Sequence, residues 1–140
     1  MSFADLQVLG REYAEKKLDS YLKPEAIKRL KWHQLRGDRC ILISASLEFY
    51  LKPWAMRHGF EEVLASRLEL TPAGIVTGHL VGLNCWGPEK ENRLRAYLGK
   101  AAENGELQLY VYGDSRGDRE ILAMADHPFY RTFTGGIYDF

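Results

Sequence analysis

A chain of 140 residues, 46% of them hydrophobic, has the length of one domain and enough apolar side chains for a core. Its 19 Lys and Arg balance 19 Asp and Glu, and the two signs are interspersed, so no basic face argues for nucleic acid or an anionic membrane surface. Cys40 and Cys85 lack a C-x-x-C spacing, the histidines lack metal-ligand spacing, and there is neither an early apolar h-region nor a long apolar span; the expectation is a reduced cytoplasmic chain without disulfides, signal peptide or membrane helix.

Ala4 to Leu22 carries Leu6, Leu9, Tyr13, Leu18 and Tyr21 or Leu22 at near-helical spacing among Lys and Glu, which predicts an amphipathic helix. Pro24-Glu25 opens a second helix with proline in the first turn, and Gly37 stops it; Trp32 and His33 read as packing and surface residues. Cys40-Ile41-Leu42-Ile43 is a continuous apolar run of the kind found in parallel strands covered on both faces. It ends in Ser44-Ala45-Ser46, and Leu47 to His58 then reads as a helix despite Pro53, with Phe49 or Tyr50, Trp54 and Met56 as packing candidates. A strand, a turn of small residues and a helix make an anion site from backbone N–H groups and a hydroxyl; the same residues also suit a plain serine helix cap.

Val63 to Leu70 and Ile75 to Val81 predict two strands of a hairpin or flap, with a turn at Pro72-Ala73-Gly74 and His79 in solvent. Pro88 opens a helix running to about Leu98. Lys90, in its first turn, opposes the macrodipole, so it points to solvent or supplies charge to an anion at the helix end, and position alone favours solvent.

Leu107 to Tyr112 predicts a buried strand and Asp118 to Ala125 a short helix, with Gly113-Asp114-Ser115-Arg116-Gly117-Asp118 as the turn between them. In an open α/β sheet that turn is where ligands bind, and Asp114 there suits Mg²⁺, which takes one or two carboxylates plus water and phosphate oxygens. The alternative is that Ser115 or Asp118 caps the helix and Gly113 permits the turn. Asp126-His127-Pro128 then makes a turn, Phe129 to Phe133 a last strand, and Gly135-Gly136 a loose tail; no G-x-G-x-x-G or Walker loop occurs.

In this order the segments resemble the haloacid dehalogenase-like phosphatase superfamily, most closely its phosphoserine-phosphatase-like branch, subfamily IB. Ile41-Leu42-Ile43-Ser44-Ala45-Ser46 is similar to its second motif, Lys90 in Gly87-Pro88-Glu89-Lys90 to its third, and Gly113 to Asp118 to its Gly-Asp-Ser-x-x-Asp fourth. The resemblance implies a three-layer, Rossmann-like α/β core with a mostly parallel sheet and a phosphomonoester hydrolase activity dependent on Mg²⁺. It implies that Ser44 and the backbone at Ala45 hold phosphate oxygens, that Lys90 neutralises the phosphoryl group, that Asp114 binds Mg²⁺, and that Asp118 orients the lysine or the metal's water.

The family's first motif, Asp-x-Asp-x-Thr, which carries the nucleophile and the general acid–base, does not occur in these residues; Asp5 and Asp19 stand alone in helical contexts. The resemblance therefore implies a truncated core without its first strand and most of its helical cap. Residues 1–23 are then a cap remnant, 24–134 the core and 135–140 a tail, in which Ile137-Tyr138-Asp139-Phe140 looks like half of a first-motif strand. Without the nucleophile the expected function is a C-terminal phosphatase portion inactive alone, acting on a small phosphorylated substrate once completed. The alternative is a non-catalytic remnant that binds phosphate or a partner chain. The absent strand lies in this family between those ending at Ser44 and Asp114, so its lack exposes unpaired ladders and predicts a homodimer or strand exchange.

Overall fold

The computed structural model describes residues 1–21 and 23–133. The helix end expected at Leu22 and the tail from 134 to 140, with its strand-like Ile137 to Phe140, lie outside the described residues. The chain divides into two units, Met1–Cys85 and Trp86–Phe140.

In the first unit the order is α1 (Phe3–Lys16), a 3-10 turn (Leu18–Tyr21), α2 (Pro24–Leu35), β1 (Ile41–Leu47), α3 (Glu48–Arg57), β2 (Glu62–Ser66), β3 (Leu68–Leu70) and β4 (Val76–Leu80). Ser2 caps α1 by accepting the Asp5 N–H at 3.2 Å, and Pro24 takes the first turn of α2, where its missing N–H costs nothing. β1 and β2 pair in parallel, with α3 between them in sequence as the crossover. α1 lies on α3, and Ala14, Leu51, Trp54, Ala55, Val63 and Ala65 form the core beneath. The approach is close because a Cβ on Gly10 would stand 2.8 Å from the Phe49 carbonyl oxygen. That carbonyl lies four residues before Pro53, which has no N–H to offer it, so one residue frees the carbonyl and another admits the helix against it.

Three boundaries in this unit differ from the sequence expectation. The single helix expected from Ala4 to Leu22 ends at Lys16, and a separate 3-10 turn covers Leu18–Tyr21. The run from Val63 to Leu70 is not one strand: it breaks at Arg67, Glu62–Ser66 pairing in parallel with β1 while Leu68–Leu70 pairs antiparallel with β4. Alternation along a run does not reveal that its two halves find different partners. The turn of the hairpin is as expected, with the Gly74 N–H on the Thr71 carbonyl at 2.9 Å and Gly74 at φ +81°. β1 also continues past Ser44 to Leu47, through a register shift between them. Ser44-Ala45-Ser46 is therefore a bulge within a strand rather than a turn, and α3 has Leu47, not a serine, at its N-cap. On α3 Trp54 is buried, as expected of it, while Met56 is 58% exposed and Leu51 and Ala55 fill the core instead.

In the second unit the order is α4 (Pro88–Leu98), α5 (Lys100–Glu103), β5 (Tyr110–Gly113), a 3-10 turn (Arg116–Asp118), α6 (Arg119–Met124) and β6 (His127–Tyr130). β5 and β6 pair in parallel from Tyr110↔His127 to Gly113↔Tyr130; the last strand thus begins at His127, where a turn was expected. α6 packs against α4 and β5, burying Leu94, Val111, Ile121, Leu122 and Phe129. The architecture is mixed α/β built on parallel strand pairs with helical crossovers. No helix among the described residues is long and apolar enough to cross a membrane.

Candidate functional site

β5 ends at Gly113 and the chain turns sharply, returning Asp118 to the strand end. Asp118 is 7% exposed, and its two carboxylate oxygens have different tasks. Oδ2 accepts the Asp114 N–H at 3.0 Å, the Ser115 N–H at 3.3 Å and the Ser115 hydroxyl at 3.5 Å, which closes the turn. Oδ1 takes the Lys90 ammonium at 2.6 Å. The capping role and the charge role read from the sequence thus meet in one side chain.

Lys90 is 7% exposed, so the solvent orientation favoured by its position does not hold. Its partner lies 28 residues away, and the opposing helix macrodipole is outweighed by a full charge at contact distance. The start of α4 is tied to the turn by the Gly87 N–H on the Gly117 carbonyl at 3.0 Å, and the Trp86 indole lies against Gly117. Burial pushes the Asp118 carboxyl up, but the Lys90 hydrogen bond, the Asp114 N–H, the lysine's charge and the Ser115 N–H outweigh it and hold the group below the usual carboxylate range. A carboxylate depressed in the folded state stabilises above its unfolded pKa of about 3.9 and loses that contribution as pH falls through the folded value. Urea midpoints measured between pH 6 and pH 3 should therefore fall below about pH 4, and the fall should be smaller in Asp118→Asn.

Asp114 is exposed; its N–H goes to Asp118 and its carbonyl accepts Arg131 Nε at 3.2 Å. Its carboxylate has no hydrogen bond or ion pair among the described residues, in which no three His, Cys, Asp or Glu side chains converge. One uncommitted carboxylate at a strand end fits a share of a Mg²⁺ shell, which needs only one or two protein carboxylates. Arg131, which the sequence did not single out, has φ +59°, donates its N–H to the Gly113 carbonyl at 2.8 Å and so braces this strand end. Arginine is not among the residue types enriched at left-handed positions, so nothing in the sequence signals it here.

Ser44 belongs to the other unit. Its hydroxyl accepts the Ser46 N–H at 3.1 Å across the bulge. The Ala45 carbonyl accepts from the Ser66 hydroxyl at 2.9 Å, and that hydroxyl also meets Asn84 Oδ1 at 2.6 Å and the Cys85 N–H at 3.1 Å. Ser66 and Asn84 thus secure the bulge from beneath, a role invisible in a sequence where they stand 21 and 39 residues beyond Ala45. Cys40 and Cys85 form no disulfide, their thiols lying on the Asp38 carbonyl at 3.6 Å and the Leu64 carbonyl at 3.5 Å.

A family described as haloacid dehalogenase-like hydrolase matches residues 2–123. Protein CicA of Caulobacter vibrioides is 32% identical over 133 residues, 94% of this chain and 58% of that protein. A histidinol-phosphatase of Neisseria meningitidis is 27% identical over 129 residues, 89% of this chain and 57% of that one. The chain thus spans little more than half the length of these relatives. Among solved structures, a Bordetella pertussis protein described as of unknown function superposes with a TM-score of 0.78 at 25% identity, over 91% of this chain and 58% of the other. Phosphoserine phosphatases, and a Vibrio cholerae protein described as a probable one, superpose at TM-scores from 0.52 to 0.62 with 16% to 23% identity, over 71% to 78% of this chain and 33% to 52% of theirs, a likeness of fold. With the buried Lys90–Asp118 pair at the foot of a Gly-Asp-Ser-x-x-Asp turn and the family match over most of its length, this chain belongs to the haloacid dehalogenase-like hydrolases, with the phosphoserine-phosphatase-like branch as its structural neighbours.

Proposed function

We propose that the chain is the clamping part of a Mg²⁺-dependent phosphomonoester hydrolase. The Ser44 hydroxyl and the backbone at Ser44-Ala45 hold phosphate oxygens, and Lys90 offsets the charge of the transferring phosphoryl group. Asp118 fixes the lysine, and Asp114 is a carboxylate ligand of Mg²⁺. The cation supplies charge compensation and orientation for a phosphoryl group whose charge is spread over its oxygens. The strongest support is Lys90: among the described residues Asp118 takes one of its three N–H donors, which leaves two for an anion. The nucleophile comes, on this reading, from an Asp-x-Asp-x-Thr segment outside these 140 residues, and without it a phosphate can be held but no aspartyl ester formed. Among the described residues β1 and β5 each have one bonded strand neighbour. That supports pairing with a further strand, from that segment or from a second copy. The cytoplasm suits cysteines that form no disulfide.

Phosphate binding by the purified chain, followed with and without Mg²⁺ and in Asp114→Asn, tests the reading. Binding that needs Mg²⁺ and is lost in the variant is expected, with no phosphate release from an aryl phosphate until a first-motif segment is supplied. Failure to bind phosphate removes the reading. Binding that never leads to turnover, even with that segment, favours the non-catalytic phosphate- or partner-binding alternative.

A further inference from the structure

The Met1–Cys85 unit contains a cleft of about 370 Å³ between α1, α3 and the start of β3, a size suited to a small organic molecule. Phe3, Gln7 and Arg11 recur every fourth residue on one face of α1, and Glu48, Phe49 and Lys52 come from the first turns of α3. The close seat of Gly10 on the Phe49 carbonyl places these two faces together. The floor is apolar, with Phe3, Phe49 and Leu68, while the rim carries Arg11, Lys52 and Arg67 against one carboxylate, Glu48. The cleft has a formal charge of +2 on a chain whose formal net charge is +0. Glu48 is committed to Arg67 at 3.4 Å, whereas Arg11 and Lys52 have no ion pair among the described residues. Isolated exposed cations on amphipathic helices are ordinarily solvated; here Arg11 of α1 and Lys52 of α3 line one cleft with Phe3, Phe49 and Leu68, beside the Arg67–Glu48 pair at the break between β2 and β3.

We propose that this cleft binds an organic anion with an apolar body, the body on Phe3, Phe49 and Leu68 and the charge on Arg11 and Lys52. α3, which lines the cleft, follows the Ser44–Ser46 bulge in sequence; on the phosphatase reading the occupant is the non-reacting end of a phosphate ester that carries a second anionic group. That assignment of substrate class rests on the phosphatase reading, whereas binding in the cleft does not.

The test is an amide NMR titration of the whole chain with phenylacetate, with neutral phenylacetamide and with inorganic phosphate. Phenylacetate should shift α1 and α3 amides saturably, bind more weakly as salt rises, and lose about three- to tenfold in affinity in Arg11→Gln and in Lys52→Gln. Both positions are exposed, so the variants should keep the parent spectrum elsewhere. Equal binding of phenylacetamide, affinity indifferent to both substitutions, or no saturable shift at α1 and α3 overturns the proposal. A cleft that binds phenylacetate in a chain that does not bind phosphate upholds the cleft and removes the phosphatase reading; phosphate binding with a silent cleft does the reverse.

Discussion

Lys90→Met should destabilise the Trp86–Phe140 unit by about 3–5 kcal/mol, the usual cost of leaving one member of a buried ion pair without its partner. Methionine keeps most of the stem's volume, so the loss isolates the charge. Asp118 cannot escape to water without surrendering the N–H bonds from Asp114 and Ser115 that close the turn. Lys90→Met combined with Asp118→Asn should recover much of the stability, because the amide oxygen can still accept the Asp114 and Ser115 N–H groups while no charge is left buried without a partner. A double-mutant cycle on urea unfolding measures the coupling. A single-variant loss below about 1 kcal/mol would mean that water screens the pair like a surface one. The doubly substituted chain separates structure from function: folded but lacking the ammonium, it should no longer bind phosphate.

Gly113→Ala should cost about 1–3 kcal/mol, in the range of overpacked sites, and should disturb the site more than its size suggests. The added Cβ would stand 2.6 Å from Asp118 Cβ and 3.0 Å from its Cγ. These atoms belong to the side chain held by Lys90 and the turn amides, so there is no flexible end to give way. Gly113 has no positive φ, and the effect is therefore one of contact rather than backbone strain. Gly117→Ala is the natural comparison. There the new methyl would meet Trp86 Nε1 at 2.5 Å, but that indole is 51% exposed and can swing outward, so the smaller loss is expected. Thermal unfolding ranks the two variants, and Mg²⁺-dependent phosphate binding should drop in Gly113→Ala first. If Gly117→Ala proves the more damaging, Trp86 rather than Asp118 is the rigid neighbour of this turn.

Much of the candidate site is legible in the sequence because its elements are written locally. Gly113 to Asp118 is a contiguous turn, Ile41 to Ser44 a contiguous apolar run, and Pro88 a first-turn proline, and each appears in the expected element. What failed were inferences that needed a partner. By its position alone Lys90 reads as solvated; the structure instead pairs it with Asp118, 28 residues away, the partner that the resemblance implied. The bulge after Ser44 depends on β2 and on Ser66, and Met56 faces water because Leu51 and Ala55 are the residues of α3 turned toward β2 and α1.

By itself, then, the sequence determined most of the helices and strands in order, the parallel character expected of Cys40 to Ile43 and the turn from Gly113 to Asp118, since these follow from periodicity and turn chemistry along the chain. The roles expected of Ser44, Lys90, Asp114 and Asp118 came instead from a resemblance. Only the tertiary structure decided which strand received each half of Val63 to Leu70, that Lys90 is buried against Asp118, that Arg131 braces the end of β5, and that Arg11, Lys52 and Arg67 share one cleft. Those outcomes depend on hydrogen bonds and charges meeting across tens of residues, where the energy of a contact is set by what the fold brings to it.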